Sequence, residues 1–128
     1  MTEKAIMEVT AAVILEGNRV LVCQRLNGKW EFPGGKLEAD ENLEACLIRE
    51  IKEELSLSIK IQAFLQCIDY PIDTGTLRLS VFQCTILTGE ICLRVHQAFQ
   101  WLTLDELAGV DLMAADRLLE LNKLNFRL

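Results

Sequence analysis

The chain has 128 residues, of which 51% are hydrophobic and 25% charged, and its formal net charge is −6. This length and composition predict one domain spanning residues 1–128 with a hydrophobic core of its own. The negative charge argues against a nucleic acid polymer as partner, because such binding depends on Lys and Arg side chains. The longest apolar run, Ala11–Leu15, is too short to cross a bilayer, so no membrane partner is expected.

The cysteines and the start of the chain favour a cytoplasmic location. The first eight residues lack the basic region and apolar stretch of a signal peptide. The chain has five cysteines and no C-x-x-C pair, which is typical of buried, reduced thiols. A single histidine, His96, argues against a zinc centre. The sequence carries no signal for the oligomeric state.

The first half of the chain predicts a hairpin followed by one long helix. Val9–Leu15 and Arg19–Arg25 alternate between apolar and polar residues around a glycine turn, as hairpin strands do. Trp30–Phe32 reads as a short extended piece. Residues 43–55 have helical periodicity, and Asn42 stands where an N-cap is expected.

The second half predicts further strands and two helices. The strands are expected at Lys60–Tyr70, Thr76–Leu87, Ile91–Val95 and Phe99–Leu102. A short helix is expected at Asp105–Ala108 with Thr103 as N-cap, and an amphipathic helix at Ala114–Leu124. Mixed strands with separate helices favour an α+β fold or a three-layer sandwich.

An acidic cluster is the most informative feature of the sequence. Glu50, Glu53 and Glu54 are spaced so that they share one helix face, and Glu41 lies just before that helix. Such carboxylates repel one another unless a hard cation neutralises them. The preceding Pro33-Gly34-Gly35 turn can bring backbone carbonyls close to the same ion. The alternative is a solvated helix face whose carboxylates pair with neighbouring Lys and Arg side chains.

The residues from Gly35 to Leu57 follow the pattern G-x5-E-x7-R-E-U-x-E-E-x-[G]-U, with U apolar. This pattern resembles the Nudix box of the Nudix hydrolase family. One position departs, because Ser56 stands where the family has glycine. A left-handed Ser56 would cost roughly 1 kcal/mol, which concerns stability more than chemistry.

The resemblance extends to the MutT-type branch of the family beyond the box. It rests on four further runs: Val22–Arg25, Trp30–Lys36, Gln100–Leu107 and Ala114–Asp116. The resemblance implies the Nudix α/β/α sandwich around a mixed sheet. It implies Mg²⁺-dependent hydrolysis, with Mn²⁺ as a substitute, of a nucleoside triphosphate to the monophosphate and pyrophosphate. Expected substrates are 8-oxo-dGTP or, alternatively, CTP or a modified cytidine triphosphate. The other alternative is a nucleotide-binding module with little turnover.

The resemblance also assigns roles around the metal. Glu50, Glu53 and Glu54 are implied as ligands, together with a carbonyl of Gly34 or Gly35, while Glu41 would lie in the outer shell or bind a second ion. Glu53 or Glu50 is implied as the catalytic base.

Arg49 is expected to point away from the ligand face and to orient a carboxylate through a bidentate pair. The alternative for Arg49 is a simple surface salt bridge.

The same likeness assigns the substrate contacts. Arg25 and Lys36 are implied as phosphate contacts, and Phe32 as a base contact. Asp116 would read the base: an ionised carboxylate matches the two adjacent donors of guanine, whereas cytosine would require a protonated one. As an alternative, Asp116 is a helix N-cap.

A second departure lies before Trp101. Related sequences often have an acid and a histidine there, but here Val95 precedes His96. The family acid is a candidate metal ligand or base, so in its absence metal binding and catalysis are expected to depend more on the helix carboxylates. His96 is expected to be structural or to lie at the rim of the site.

Overall fold

The computed structural model describes residues 5–126, so residues 1–4 and 127–128 of the predicted domain lie outside the described range. In chain order the strands and helices are β1 Ala5–Glu16, β2 Arg19–Gln24, β3 Trp30–Glu31, β4 Gly34–Lys36, α1 Leu43–Leu55, β5 Ser58–Ile72, β6 Gly75–Thr88, β7 Ala98–Leu102 and α2 Leu104–Leu107. No helix within residues 5–126 is long and apolar enough to cross a membrane.

The strands form one mixed sheet in the order β3-β2-β1-β6-β5, with β4 paired to β1 and β7 paired to β2. Strands β1 and β6 run parallel, and the other paired strands are antiparallel. Predicted and observed strands agree for the first hairpin and for the long β5–β6 hairpin, although β1, β5 and β6 extend beyond the predicted bounds.

Alternation along β1 separates two apolar cores, because successive side chains of a strand point to opposite faces. Ala12 and Ile14 pack with Leu47 and Ile51 of α1 on one face. The other face of β1 packs against Leu107 of α2 and the segment that follows it. Helices therefore cover both faces of the mixed sheet, which confirms the predicted α/β/α sandwich.

Helix α1 has the predicted bounds, and both of its ends behave as the sequence indicates. The Asn42 side chain accepts a hydrogen bond from the Ala45 amide at 2.7 Å, which caps the N-terminus. Ser56 ends the helix in the left-handed conformation, with φ 60° and ψ 30°. The Ser56 hydroxyl accepts two hydrogen bonds from Arg94, at 3.2 and 3.1 Å, so the serine has a contact that glycine could not make.

The predicted strand at Ile91–Val95 is wrong. The segment is irregular, bends at Arg94 and Val95 and joins no strand, because Cys92 and Arg94 donate their amides to the carbonyls of Leu55 and Glu54 at the end of α1. The segment satisfies the unpaired carbonyls of the helix C-terminus instead of adding to the sheet. It also delivers Val95 and His96 to the neighbourhood of Glu54.

The predicted amphipathic helix at Ala114–Leu124 is also wrong. The structure has two 3-10 turns there, Asp116–Leu118 and Leu121–Lys123, with extended backbone at Leu119. Two glutamine side chains of the long hairpin bind this segment. Gln66 bonds to the Leu118 carbonyl and the Glu120 amide, and Gln83 bonds to both backbone groups of Asn125 at 2.8 Å. In an α-helix, these backbone amide and carbonyl groups would form the hydrogen bonds of the helix itself.

Candidate active site

An open cleft of about 750 Å³ lies beside the end of α1. We call it the acidic cleft. Its walls come from β1, β3, β4, β6 and the segment before β7, and its lining includes Arg25, Glu31, Gly34, Gly35, Lys36, Glu54, Val95 and His96. The cleft brings together residues from the glycine turn, the helix and the segment that carries the Val95 departure.

Arg49 is the cation at the centre of the helix carboxylates. Its Nε and Nη2 atoms donate to the two carboxylate oxygens of Glu41 at 2.6 and 2.9 Å, which is the predicted bidentate pair. Its Nη1 donates to Glu50 at 2.8 Å and to Glu53 at 3.1 Å. The expectation that Arg49 points away from the ligand face is therefore wrong. The hydrogen bonds from Arg49 lower the pKa of Glu41 from 4.5 to about 2.

Gly35 and Glu50 pack so closely that any side chain at position 35 would displace the Glu50 carboxylate. A Cβ atom built on Gly35 would lie 2.2 Å from the Cδ atom of Glu50. The Gly35 carbonyl oxygen accepts a hydrogen bond from the Thr10 hydroxyl at 3.2 Å, which fixes the turn against β1. The sequence of the turn therefore sets the place of the Glu50 carboxylate.

Glu54 is the carboxylate with the strongest need for a partner. Burial raises its pKa from 4.5 to about 7, opposed by His96 and reinforced by Glu50. Its Oε2 atom is buried and has no hydrogen-bond partner. A buried carboxylate oxygen without a partner is costly, and a cation is the partner that suits it best.

The helix carboxylates do not converge in this arrangement. Within residues 5–126, no three His, Cys, Asp or Glu side chains lie close enough together to hold a metal ion. Glu53 is 60% exposed and bonds to Arg49, whereas Glu50 is only 16% exposed and lies against Gly35. The predicted convergence of the four carboxylates is thus replaced by pairing of Glu41, Glu50 and Glu53 with Arg49, while Glu54 has no ion pair with it. The oxygen donors and the unpaired Glu54 Oε2 nevertheless fit a hard divalent cation.

His96 and Glu31 form a pair that the sequence does not predict. The His96 side chain is 3% exposed, and its Nε2 atom lies 2.8 Å from Oε2 of Glu31. The residues are 65 positions apart, so only the fold brings them together. Glu31 lies within Trp30–Lys36, one of the segments that resemble the MutT-type branch. That resemblance implies no role for Glu31, so the sequence gives no other indication of this pair.

A smaller pocket of about 210 Å³ adjoins the acidic cleft. We call it the inner pocket. Both spaces share Val9, Arg25, Glu31, Gly34 and Leu77 in their lining, and the inner pocket adds Phe32, Tyr70 and Asp116, among others. The two spaces are therefore adjacent, and these five residues border both of them.

Asp116 is buried at the inner pocket and bonds to the backbone of Phe32. Its Oδ2 atom accepts a hydrogen bond from the Phe32 amide at 2.8 Å. Burial raises the pKa of Asp116 from 3.8 to about 7; the Phe32 amide and Arg25 oppose this, and Glu31 reinforces it. The alternative of Asp116 as an N-cap is wrong, since the 3-10 turn it begins has no side-chain cap.

The predicted substrate residues divide between the two spaces. Lys36 lines the acidic cleft, Phe32 lines the inner pocket, and Arg25 lines both. Phe32 is 3% exposed, so it offers the pocket little surface. Lys36 thus lies with Glu54 at the acidic cleft, Asp116 lies at the inner pocket, and Arg25 borders both spaces.

Comparison with known proteins agrees with this geometry. The NUDIX domain model matches residues 6–122. A Mycobacterium tuberculosis protein with the provisional name 8-oxo-dGTP diphosphatase 2 is 41% identical over 115 residues, covering 85% of this chain and 82% of the relative. The CTP pyrophosphohydrolase of Escherichia coli is 30% identical over 115 residues, covering 86% of this chain and 85% of the relative.

A solved structure shares the fold. The crystal structure of a MutT NUDIX hydrolase from Burkholderia pseudomallei has a TM-score of 0.81 and 27% identity, covering 89% of this chain and 95% of that one. Nudix hydrolases generally use divalent metal ions, in keeping with the oxygen donors described above. With its domain match running from β1 to the last 3-10 turn, the chain belongs to the Nudix hydrolase family.

Proposed function

We propose that the chain hydrolyses a nucleoside triphosphate to the monophosphate and pyrophosphate. The observation that supports this proposal is that the acidic cleft and the inner pocket adjoin and share five lining residues. Together the two spaces offer carboxylates and basic side chains to a triphosphate and a buried carboxyl group to a base. The proposal places the triphosphate near Lys36 and Glu54 and the base near Asp116.

Oxidised guanine is the first candidate for the base, and the role proposed is removal of 8-oxo-dGTP from the nucleotide pool. The relative at 41% identity is named for that substrate. An ionised Asp116 accepts two hydrogen bonds, which matches the two adjacent donors on the Watson–Crick edge of guanine.

Cytidine triphosphates are the second candidate, favoured by one observation. Because the pKa of Asp116 is raised to about 7, its carboxyl group is partly protonated near neutral pH. A protonated carboxyl group donates and accepts, which matches the adjacent donor and acceptor of cytosine. The relative named CTP pyrophosphohydrolase is consistent with this alternative.

Divalent metal is proposed to bind through oxygen ligands, with Mg²⁺ as the natural ion and Mn²⁺ as a substitute. Glu50, Glu53 and Glu54 would hold it, together with a carbonyl of Gly34 or Gly35, and Glu41 would contribute from the outer shell. When bound, the ion supplies an activated water and neutralises phosphate oxygens.

The remaining roles belong to protein side chains. Glu53 or Glu50 is proposed as the base that takes the proton of the attacking water. Arg49 positions these carboxylates through the hydrogen bonds described above. Arg25 and Lys36 are proposed to bind phosphate oxygens, since both line the acidic cleft.

The test is pyrophosphate release by the purified protein with Mg²⁺, scored on 8-oxo-dGTP, dGTP, CTP, dCTP and 5-methyl-dCTP. We expect release from at least one of them and a severe loss in Glu53→Gln. Glu44→Gln is the matched control, because Glu44 is exposed in the first turn of the same helix and has no part in the Arg49 network.

The outcomes separate the candidates. A Glu53→Gln protein as active as the wild type would overturn the proposed role of Glu53, and inactivity on the whole panel would overturn the proposed function. Nucleotide binding without turnover would support a binding module instead. Repeating the panel with Mn²⁺ tests the choice of metal.

We also propose that residues 1–128 act as one domain in the cytoplasm. The support is that all five cysteines lie in the described part of the chain as free thiols, which suits a reducing compartment. Protease-resistant fragments and the location of the tagged protein would test these two points.

A further inference from the structure

Glu31 occupies the boundary between the two spaces of the candidate site. Its side chain is 21% exposed and lines both the acidic cleft and the inner pocket. It acts electrostatically on Glu54 at one end and on Asp116 at the other. In a bound nucleoside triphosphate, the group between the base and the phosphates is the sugar.

His96 fixes the Glu31 carboxylate in that place. The imidazole is almost completely buried, and its Nε2 atom lies 2.8 Å from one carboxylate oxygen, Oε2. With Nε2 as donor, the pair uses one accepting position of Glu31 and prevents the side chain from rotating. A buried partner on a segment anchored to the end of α1 makes this a built position and not a surface contact.

The second oxygen of Glu31 has accepting capacity left. Its only contact among the described residues is with Arg25, whose Nη1 atom lies 3.5 Å away, at the long limit of a hydrogen bond. The Arg25 side chain is 48% exposed and lines the same cavity. A carboxylate oxygen accepts two hydrogen bonds, so Oε1 can bind a hydroxyl group while Arg25 remains nearby.

We propose that Glu31, held by His96, accepts a hydrogen bond from a sugar hydroxyl of the nucleotide. Glu31 is then a substrate-binding residue and His96 is its positioning residue. This inference rests on the proposed function, because it places a nucleotide in the cavity with its base at Asp116. The side chain of Val95 has no polar group that could bind a sugar hydroxyl, and the helix carboxylates are already proposed to bind the metal.

The experiment compares nucleotides that differ in one hydroxyl. The value of kcat/KM is measured for CTP, dCTP and 2′,3′-dideoxy-CTP, and for the three matching guanosine triphosphates, each with Mg²⁺. The step from ribose to deoxyribose tests the 2′ hydroxyl, and the step to dideoxyribose tests the 3′ hydroxyl. In the wild type we expect one of these steps to reduce kcat/KM about tenfold, mainly through KM, as the loss of one charge-assisted hydrogen bond would.

The variants test which residue senses that hydroxyl. In Glu31→Ala the tenfold ratio should fall to about one, because the acceptor is gone. His96→Leu should also reduce the ratio, whereas His96→Gln, whose amide can donate to Oε2, should restore most of it. Glu90→Ala, an exposed acid outside the cavity, should keep the wild-type ratio. Each ratio is measured within one protein, so a partly unfolded variant does not distort it.

Failure of the inference is distinguishable from failure of the proposed function. Equal kcat/KM for all three sugars, or a ratio that persists in Glu31→Ala, overturns the inference while hydrolysis stands. Absence of pyrophosphate release overturns the proposed function. The same ratios are then taken from dissociation constants of the intact triphosphates, and equal or absent binding overturns the inference as well.

Discussion

Arg49 binds Glu41 through two hydrogen bonds, of 2.6 and 2.9 Å, and reaches Glu50 with the same guanidinium group. The side chain of Arg49 is therefore the local counter-ion of carboxylates that would otherwise repel one another. In Arg49→Ala we expect the metal-free protein to melt at a lower temperature in low salt. The deficit should shrink in high salt, because exposed charges are screened.

Melting curves at two salt concentrations without divalent metal check this prediction. Arg19→Ala is the control, since Arg19 is exposed on β2 and belongs to no ion pair described in the structure. A deficit for Arg49→Ala that is equal in low and high salt would show that packing of the side chain, not its charge, stabilises the helix.

Gly35→Ala should displace the Glu50 carboxylate. The added methyl carbon would lie 2.2 Å from Cδ of Glu50, far inside contact distance. We expect a loss of only about 1 kcal/mol in the free energy of unfolding, because the atoms in the way are the end of a flexible side chain, and a larger proportional loss of hydrolysis. Gly109→Ala is the matched control, because its Cβ atom would meet nothing nearer than 3.7 Å. Urea unfolding and pyrophosphate release measure both effects, and full activity in Gly35→Ala would contradict the proposed place of Glu50.

At Ser56 we expect the cost of a left-handed backbone to be offset in part by hydrogen bonds to the hydroxyl group. Its left-handed backbone disfavours any side chain, yet its hydroxyl accepts two hydrogen bonds from Arg94. Ser56→Ala keeps the strain and loses the hydrogen bonds, so it should be less stable than the wild type. Ser56→Gly relieves the strain and should exceed Ser56→Ala by about 1 kcal/mol in the free energy of unfolding. Equal stability of the two variants in urea unfolding would show that the left-handed conformation carries no cost here.

The raised pKa of Asp116 makes stability depend on pH. The folded protein holds the proton up to about pH 7, whereas the unfolded chain releases it near 3.8. The stabilisation is therefore complete below pH 3.8 and is lost as the pH rises towards 7. Compared with Asp116→Asn, which does not titrate, the wild type should lose on the order of 2–4 kcal/mol between pH 4 and pH 8. Urea unfolding at both pH values measures the difference, and parallel curves would contradict it.

The same titration should change the choice of base. Below about pH 7 the protonated Asp116 matches cytosine, and above it the ionised form matches guanine. The ratio of kcat/KM for CTP to that for 8-oxo-dGTP should therefore fall as the pH rises from 6 to 8. Titration of the carboxylates proposed to bind metal affects both substrates and cancels in the ratio. A ratio that is constant with pH would mean that Asp116 does not read the base.

The local features of the fold could be predicted because local chemistry determines them. Asn42 caps a helix of the predicted length, and Ser56 adopts the conformation of the glycine it replaces. The alternation in β1 and β2 likewise determines which side chains enter each core. In each of these cases the energetic preference acts within a few neighbouring residues.

Long-range pairings could not be predicted in the same way. The segment at Ile91–Val95 has the composition of a strand, but unpaired carbonyls at the end of α1 bind its amides. The pairing of His96 with Glu31 depends on the same distant contact. The arrangement of Arg49 among the carboxylates was missed because the spacing of charges on a helix does not reveal which cation neutralises them.

The attachment of the segment after Asp116 by Gln66 and Gln83 has a consequence for divergence among relatives. Side-chain amides of Gln66 and Gln83 hold this segment against the long β5–β6 hairpin. The pairing register of the β-strands therefore does not depend on the segment. Exchanges at the exposed positions of this segment, such as Arg117 and Leu118, can therefore remodel the surroundings of Asp116 while every strand keeps its partner. Buried Asp116 and Leu119 remain constrained by the core.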